Sequence, residues 1–261
     1  TRRLRSALRL LGPYLDAPLA GPASDSLRRL AQALGGVRDM DVALIRVGEY
    51  LETAPDQAQD MAPLLSHWLA HREARRRQLI RYLDSRAYTL LRQRLLALLE
   101  ALQSAEGEAP PERQVGQVAP RMVYLAWQAV IAYTAVLPQA PPELLHLLRI
   151  DSKRLRYALE CYGEVLPAGV ASLAGQVVGL QDHLGAMRDE TVAIGMLDAY
   201  LARARGQRTR EAVLAYRAAC EETRQALTES FAPRWEQLTR GRAARALQAY
   251  IEREIATGRQ R

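Results

Sequence analysis

The feature that most constrains this chain is a pair of short sequence blocks that each occur twice. Residues 1–12 align with residues 152–163, and residues 34–42 align with residues 184–192. The separations are 151 and 150 residues, so both blocks recur at nearly the same spacing. Two matched blocks at one spacing indicate a tandem repeat, in which both halves supply the same structural elements. We therefore predict two similar halves.

The composition indicates that both halves are helical. Aromatic residues make up only 6% of the 261 residues, with a single Phe, while Leu and Ala are abundant. Leu and Ala favour helices, whereas strands favour aromatic and β-branched residues. We find no strand-like alternation of polar and apolar residues. The predicted fold class is all-α, and the chain is long enough to bury a substantial core.

One polar segment is the best candidate for the boundary between the halves. Residues 104–114 read SAEGEAPPERQ, a Pro- and Gly-containing stretch typical of a linker. This places the first half at about 1–103 and the second at about 115–261, with the repeated motif from residue 146. We treat 1–261 as one domain built from two halves.

The second helix shows two features that depend on Pro and Gly. A loop containing Pro18, Gly21 and Pro22 is predicted before it, with Ser24 or Asp25 as the N-cap. Inside the helix, residues 35 and 36 are both Gly, and each costs about 1 kcal/mol relative to Ala. Glycine at this place predicts the close approach of another backbone or of a ligand.

A helix over residues 142–165 would carry one strongly cationic face. At about 100° per residue, four basic or titratable side chains fall within roughly a quarter-turn, and leucines occupy the opposite side. The members of this cationic face are His146, Arg149, Lys153 and Arg156. An ordinary solvated face would intersperse carboxylates, but Asp151 lies to one side and Glu160 at the far end. The pattern favours a polyanionic ligand.

The overall charge agrees with an anionic partner. The formal net charge is +7 and the isoelectric point about 9.7. Lys153 is the only lysine, so nearly every basic residue is an arginine, whose planar fork can bind two phosphate oxygens at once. The repeat matches Arg2 with Lys153 and Arg5 with Arg156. It also pairs Arg38 with Arg188. We interpret the Asp that follows each of these last two as a group that orients neighbouring guanidinium groups.

Other chemistries find little support in the sequence. His146 and His183 could in principle bind a metal together, but their neighbours are mainly cations. His67 and His71 have the i,i+4 spacing of metal ligands, yet no third ligand is evident. We find no phosphate-binding glycine loop, dinucleotide motif or nucleophile elbow. No catalytic residue, metal or cofactor is predicted.

The location is predicted from cysteines and hydropathy. The two cysteines, Cys161 and Cys220, have no metal-like spacing and are interpreted as reduced thiols of a cytoplasmic protein. The longest apolar run, residues 122–137, is 16 residues long, which is too short to span a bilayer. We therefore predict no membrane association.

One motif reads His146-x-x-Arg149-Ile-x-x-Lys153-Arg-Leu-Arg156-Tyr, and a second motif, Leu184-Gly-x-x-Arg188-Asp, follows it. Together they resemble the CHAD domain, the conserved histidine α-helical domain. The resemblance covers essentially the whole chain. It implies two pseudo-symmetric four-helix bundles with a basic groove or pore between them that binds inorganic polyphosphate. It also implies a non-enzymatic module that often associates with polyphosphate granules. The first-half counterparts of His146 and Arg149 would precede Thr1.

The combined interpretation is a polyphosphate-binding module. Its predicted binding residues are Arg2, Arg5, Arg9, Arg38, His146, Arg149, Lys153, Arg156 and Arg188, with Arg3, Arg154 and His183 as second-rank members. Single-stranded nucleic acid would require stacking aromatic side chains as well as charge, and the basic faces carry few. Two alternatives remain: a helical scaffold that binds nucleic acid or an acidic protein, and a metal or phosphohistidine site at His146.

Overall fold

The computed structural model describes residues 1–12, 15–104, 115–137 and 140–258, and these residues form helices with no strand among them. The all-α prediction is confirmed. The helices are α1 (Arg2–Leu10), α2 (Ala17–Thr53), α3 (Ala58–Leu83), α4 (Arg86–Ser104), α5 (Val115–Ile131), α6 (Pro142–Cys161), α7 (Ala168–Ala171), α8 (Leu173–Leu201), α9 (Gln207–Glu229), α10 (Phe231–Arg240) and α11 (Arg242–Gly258). Short 3₁₀ turns occur at Pro55–Gln57, Ala132–Ala135 and Gly163–Val165. Apart from Ser104, the predicted linker 104–114 lies outside the described residues.

None of the described helices combines the length and apolar content required to cross a bilayer.

The start of α2 differs from the sequence prediction. The helix begins at Ala17, several residues before the predicted caps, and continues through Pro22. Pro18 lies in the first turn, where a missing N–H has no helical partner to lose. Ala20 and Ala23 are buried, so the added turns contribute to the core. Burial of this face therefore outweighs the helix-breaking tendency of Pro22.

The described helices group into two compact units, of which the first combines Thr1–Ala105 with Asp189–Arg224. One of its cores gathers apolar side chains from α2, α3, the end of α8 and α9. Its buried members include Met40, Val47, Met61, Leu64, Trp68, Leu197, Val213 and Tyr216. A second core lies between α1, α2 and α4, with Leu8, Leu27 and Leu91 among its members. Unit 1 thus depends on two separate stretches of the chain.

The second unit combines Glu106–Arg188 with Gln225–Arg261. Within it, α5 packs against α6, and α11 packs against α5 and α7. On α6, Leu148, Leu155 and Leu159 are at most 1% exposed. These are the leucines expected opposite the cationic face, so the predicted orientation of α6 is confirmed. The division into two pseudo-symmetric bundles stays a prediction.

Candidate anion-binding site

The cationic face of α6 is oriented by packing of its opposite side. The helix begins at Pro142 and ends at Cys161, with Pro in the first turn and Glu143 as its early acidic residue. Burial of its leucines leaves His146 exposed and Arg149, Lys153 and Arg156 half-buried. The apolar stems of such long basic side chains can lie along the protein surface. The Nε atoms of Arg149 and Arg156 are themselves buried.

Four of the predicted binding residues come together within unit 2. The pKa of His146 is lowered, first by partial desolvation of its ring and then by repulsion from Arg188, Arg149 and Lys153. Arg149 and Lys153 share α6 with the histidine, whereas Arg188 is on α8. We call His146, Arg149, Lys153 and Arg188 the unit 2 cluster. Three permanent cations around an imidazole make a site that favours negative charge.

Arg149 of α6 lies beside Gly185 of α8. A Cβ built on Gly185 would lie 3.9 Å from both Nε and an Nη atom of Arg149. Similarly, Arg75 of α3 lies over Gly36 of α2, and the Arg75 Cδ is 3.5 Å from the position that a Cβ on Gly36 would occupy. Gly36 and Gly185 therefore face arginine side chains, whereas the sequence predicted the close approach of another backbone or of a ligand. Arg75 was missed because its position over Gly36 depends on how α3 packs against α2, and no pattern within a single helix reveals that packing.

Arg156 belongs to the cationic face but has neighbours of its own. Its Nε lies 3.3 Å from the Glu160 carboxylate, one turn further along α6. Its guanidinium carbon is 4.7 Å from the centre of the Tyr157 ring, the geometry of a cation–π contact. Part of its charge is therefore compensated within α6, and an anion would compete with Glu160 for it.

Arg154 is engaged on another side of α6. It donates a hydrogen bond of 2.6 Å to Asp151, which also accepts one of 2.8 Å from the Tyr133 hydroxyl. Burial, followed by the hydrogen bond to Asp151, raises the pKa of Tyr133 to about 12. The phenol thus stays protonated and helps to fix the carboxylate. The predicted contact of Arg154 with an anion stays a prediction.

His183 is enclosed within unit 2. Its side chain is 6% exposed, and its Nε2 lies 2.7 Å from the Leu227 carbonyl oxygen. Its ring is 5.9 Å from the Phe231 ring. These contacts assign the imidazole a packing role, while the predicted contact with an anion stays a prediction. Among the described residues, no group of three or more His, Cys, Asp or Glu could hold a metal ion.

The first-half candidates lie on α1 and α2 of unit 1. Arg3, Arg9 and Arg38 are exposed and Arg5 is half-buried, while the side chain of Arg2 lies outside the described part of the chain. Their exposure leaves Arg3, Arg9 and Arg38 accessible to a ligand. Their joint action on one anion stays a prediction.

The carboxylates that hold arginines in unit 1 are not the expected ones. Within the described ranges, Asp39 and Asp189 form no ion pair. Instead Asp41 pairs with Arg72, and Glu190 pairs with Arg46. Glu190 is only 1% exposed. The repeat could not reveal this buried pair, because Glu190 aligns with Met40.

The chain matches the model of a protein family and resembles a solved structure in its fold. The model of the CHAD domain matches residues 1–198. A comparison with curated proteins gave no significant match. Among solved structures, the chain resembles PptA from Streptomyces chartreusis, with a TM-score of 0.66 and 16% sequence identity, over 90% of this chain and 86% of that one. At this identity the likeness concerns the fold alone.

Proposed function

Because the chain belongs to the CHAD family, we propose that it binds inorganic polyphosphate through its basic side chains, without catalysing a reaction. The family match over residues 1–198 and the all-α fold support a polyphosphate-related module. The observation that carries the proposal is the unit 2 cluster. Its cations come from α6 and α8 and influence one imidazole.

The chemistry of the cluster suits a chain of phosphates. Polyphosphate presents repeated oxyanions without bases, so its receptor needs forked donors and little aromatic surface. Arg149 and Arg188 would each offer a fork that binds phosphate oxygens in pairs, and Lys153 would act as a point charge. His146 would donate a hydrogen bond, and more strongly when protonated.

The remaining predicted residues extend this proposal. We place Arg156 at one end of the cationic face, where polyphosphate would displace Glu160. Exposed arginines of the first half would contact further phosphates of a long chain, and these are Arg3, Arg9 and Arg38. In this proposal a basic groove receives the ligand, and granule association follows from binding. A scaffold for nucleic acid is the competing function.

A competition titration tests the proposal. Long-chain polyphosphate should displace a labelled polyphosphate at far lower phosphate concentration than single- or double-stranded DNA at the same salt. Arg149→Ala and Arg188→Ala should each weaken binding about tenfold or more, since each removes a charged hydrogen-bonding group worth about 1.5–3 kcal/mol.

The matched control is Arg234→Ala, which removes an exposed arginine of α10 in the same unit. Its affinity should remain close to that of the parent. Equal competition by DNA, or equal losses from Arg234→Ala and Arg149→Ala, would refute specific binding of polyphosphate by the cluster.

A further inference from the structure

Two arginines of unit 1 converge on one buried hydroxyl. An Nη atom of Arg94 on α4 donates to Ser26 Oγ at 2.7 Å, and an Nη atom of Arg29 on α2 donates to the same oxygen at 3.1 Å. Ser26 is 0% exposed. Two guanidinium groups are thus held side by side over a fixed oxygen. Neither arginine belongs to the binding residues proposed above.

Pro22 explains why this serine can accept two hydrogen bonds. The Ser26 hydroxyl donates its only proton to the Pro22 carbonyl oxygen at 2.9 Å. A hydroxyl has one proton and two acceptor lone pairs, so both lone pairs remain for arginine donors. Arg94 also approaches the Pro22 carbonyl at 3.4 Å. The helical turn around Pro22, which the sequence did not predict, therefore positions the acceptor oxygen that both guanidinium groups contact.

The two positive charges lack a carboxylate partner. Within the part of the chain that the structure describes, neither Arg29 nor Arg94 forms an ion pair. The nearby Asp25 pairs with Arg28 at 3.1 Å. Like charges held this close repel each other, and an anion placed between them removes that repulsion. Each guanidinium uses one nitrogen in the contacts described, which leaves the rest of its fork for a ligand.

We propose that Arg29 and Arg94, positioned by Ser26, form a binding site for a doubly charged tetrahedral oxyanion. Free inorganic phosphate and the phosphate group of a phosphomonoester share this chemistry. The site differs from that of Arg38, because nine residues separate Arg29 from Arg38 and place them on opposite sides of α2. Arg29 is exposed and Arg94 half-buried, so an anion can reach them from solvent.

The test uses the 261-residue chain with Arg149→Ala and Arg188→Ala, two substitutions that weaken the unit 2 cluster. Inorganic phosphate and phenyl phosphate are titrated separately by calorimetry at constant ionic strength. Binding of phosphate alone identifies the free ion as the ligand, whereas comparable binding of both identifies a monoester-accepting site. Adding Arg94→Gln or Arg29→Gln should lower the affinity at least tenfold, and Ser26→Ala should lower it less because both charges remain.

The matched control is Arg92→Gln, which removes an exposed arginine from the same helix as Arg94. Circular dichroism and thermal unfolding without phosphate establish that each variant is folded, and Arg29→Gln serves if Arg94→Gln is not. Equal phosphate affinity in Arg29→Gln, Arg92→Gln and their parent overturns the proposal, as does the absence of any phosphate binding at millimolar concentration. Failure of the polyphosphate proposal would be seen separately. In that case the variant with Arg149→Ala and Arg188→Ala would bind polyphosphate as tightly as the unsubstituted chain.

Discussion

At the scale of single residues, His146 is a proton-sensitive member of the unit 2 cluster. Partial desolvation, followed by repulsion from its cationic neighbours, lowers its pKa below the ordinary 6.5, so the ring is mostly neutral at pH 7. A bound polyanion would reverse this repulsion and raise the pKa. Because a polyanion would favour the protonated form, binding would take up a proton, and affinity should rise as the pH falls below about 6.5.

This reasoning gives the first prediction. Polyphosphate affinity should increase between pH 7.5 and 5.5, and His146→Gln should remove most of that increase. Titrations in buffers of different ionisation enthalpy would report the proton uptake directly. An identical pH profile in the parent and in His146→Gln would exclude the imidazole as the sensor.

The pair of Arg46 and Glu190 supplies a second prediction. Glu190 is 1% exposed, and its second carboxylate oxygen has no hydrogen-bond partner among the described residues. Glu190→Gln should lower the free energy of unfolding by about 3 kcal/mol, because Arg46 would lose its anion. Replacing both residues by Met should recover much of this loss. Chemical denaturation checks both variants, and equal stability of Glu190→Gln and the parent would contradict the argument.

The sequence predicts those side chains whose placement follows from one helix. Helical periodicity alone placed His146, Arg149 and Lys153 opposite the buried leucines of α6. It could not predict the position of Arg94 beside Ser26, or that of Arg75 over Gly36. Each of these contacts joins two helices, and a contact between distant segments leaves no local pattern in a single sequence.

At the scale of elements, the size of the side chain at position 185 of α8 limits the space beside Arg149. The Cβ of an alanine at Gly185 would be 3.9 Å from the guanidinium, an ordinary contact distance. Gly185→Ala should therefore preserve polyphosphate affinity and raise stability by up to about 1 kcal/mol through helix propensity. Gly185→Leu should displace Arg149 and weaken binding several-fold. Paired binding and unfolding measurements test this, and equal binding by the alanine and leucine variants would exclude the steric role.

Element boundaries were predicted less well than element type. The sequence predicts a loop at Pro22, because proline interrupts helices in general. In the structure, burial of Ala20 and Ala23 stabilises the turns around it. Burial of this kind depends on α1 and α4, and so it lies beyond any local sequence rule.

At the scale of the whole molecule, counterion release should dominate binding. The logarithm of the binding constant should fall linearly with the logarithm of salt concentration, by roughly 0.7 per neutralised phosphate if single-stranded nucleic acid is a fair analogue. Six to eight contacts would give a slope of about −4 to −6. Arg149→Ala should reduce its magnitude by somewhat under one, whereas Arg234→Ala should leave it unchanged. Titrations at four or more salt concentrations measure the slope, and a flat dependence would show that charge does not drive binding.

The composition of unit 1 has a consequence for the newly made protein. Its core joins Met61, Leu64 and Trp68 to Val213 and Tyr216, which are synthesised about 150 residues later. At roughly 5–20 residues per second, a ribosome needs about 8–30 s to synthesise that stretch. During this interval the apolar faces of α2 and α3 lack their covering from α9. The nascent chain therefore passes through a period in which chaperones have their best access to it, and that period ends only when α9 has left the ribosome.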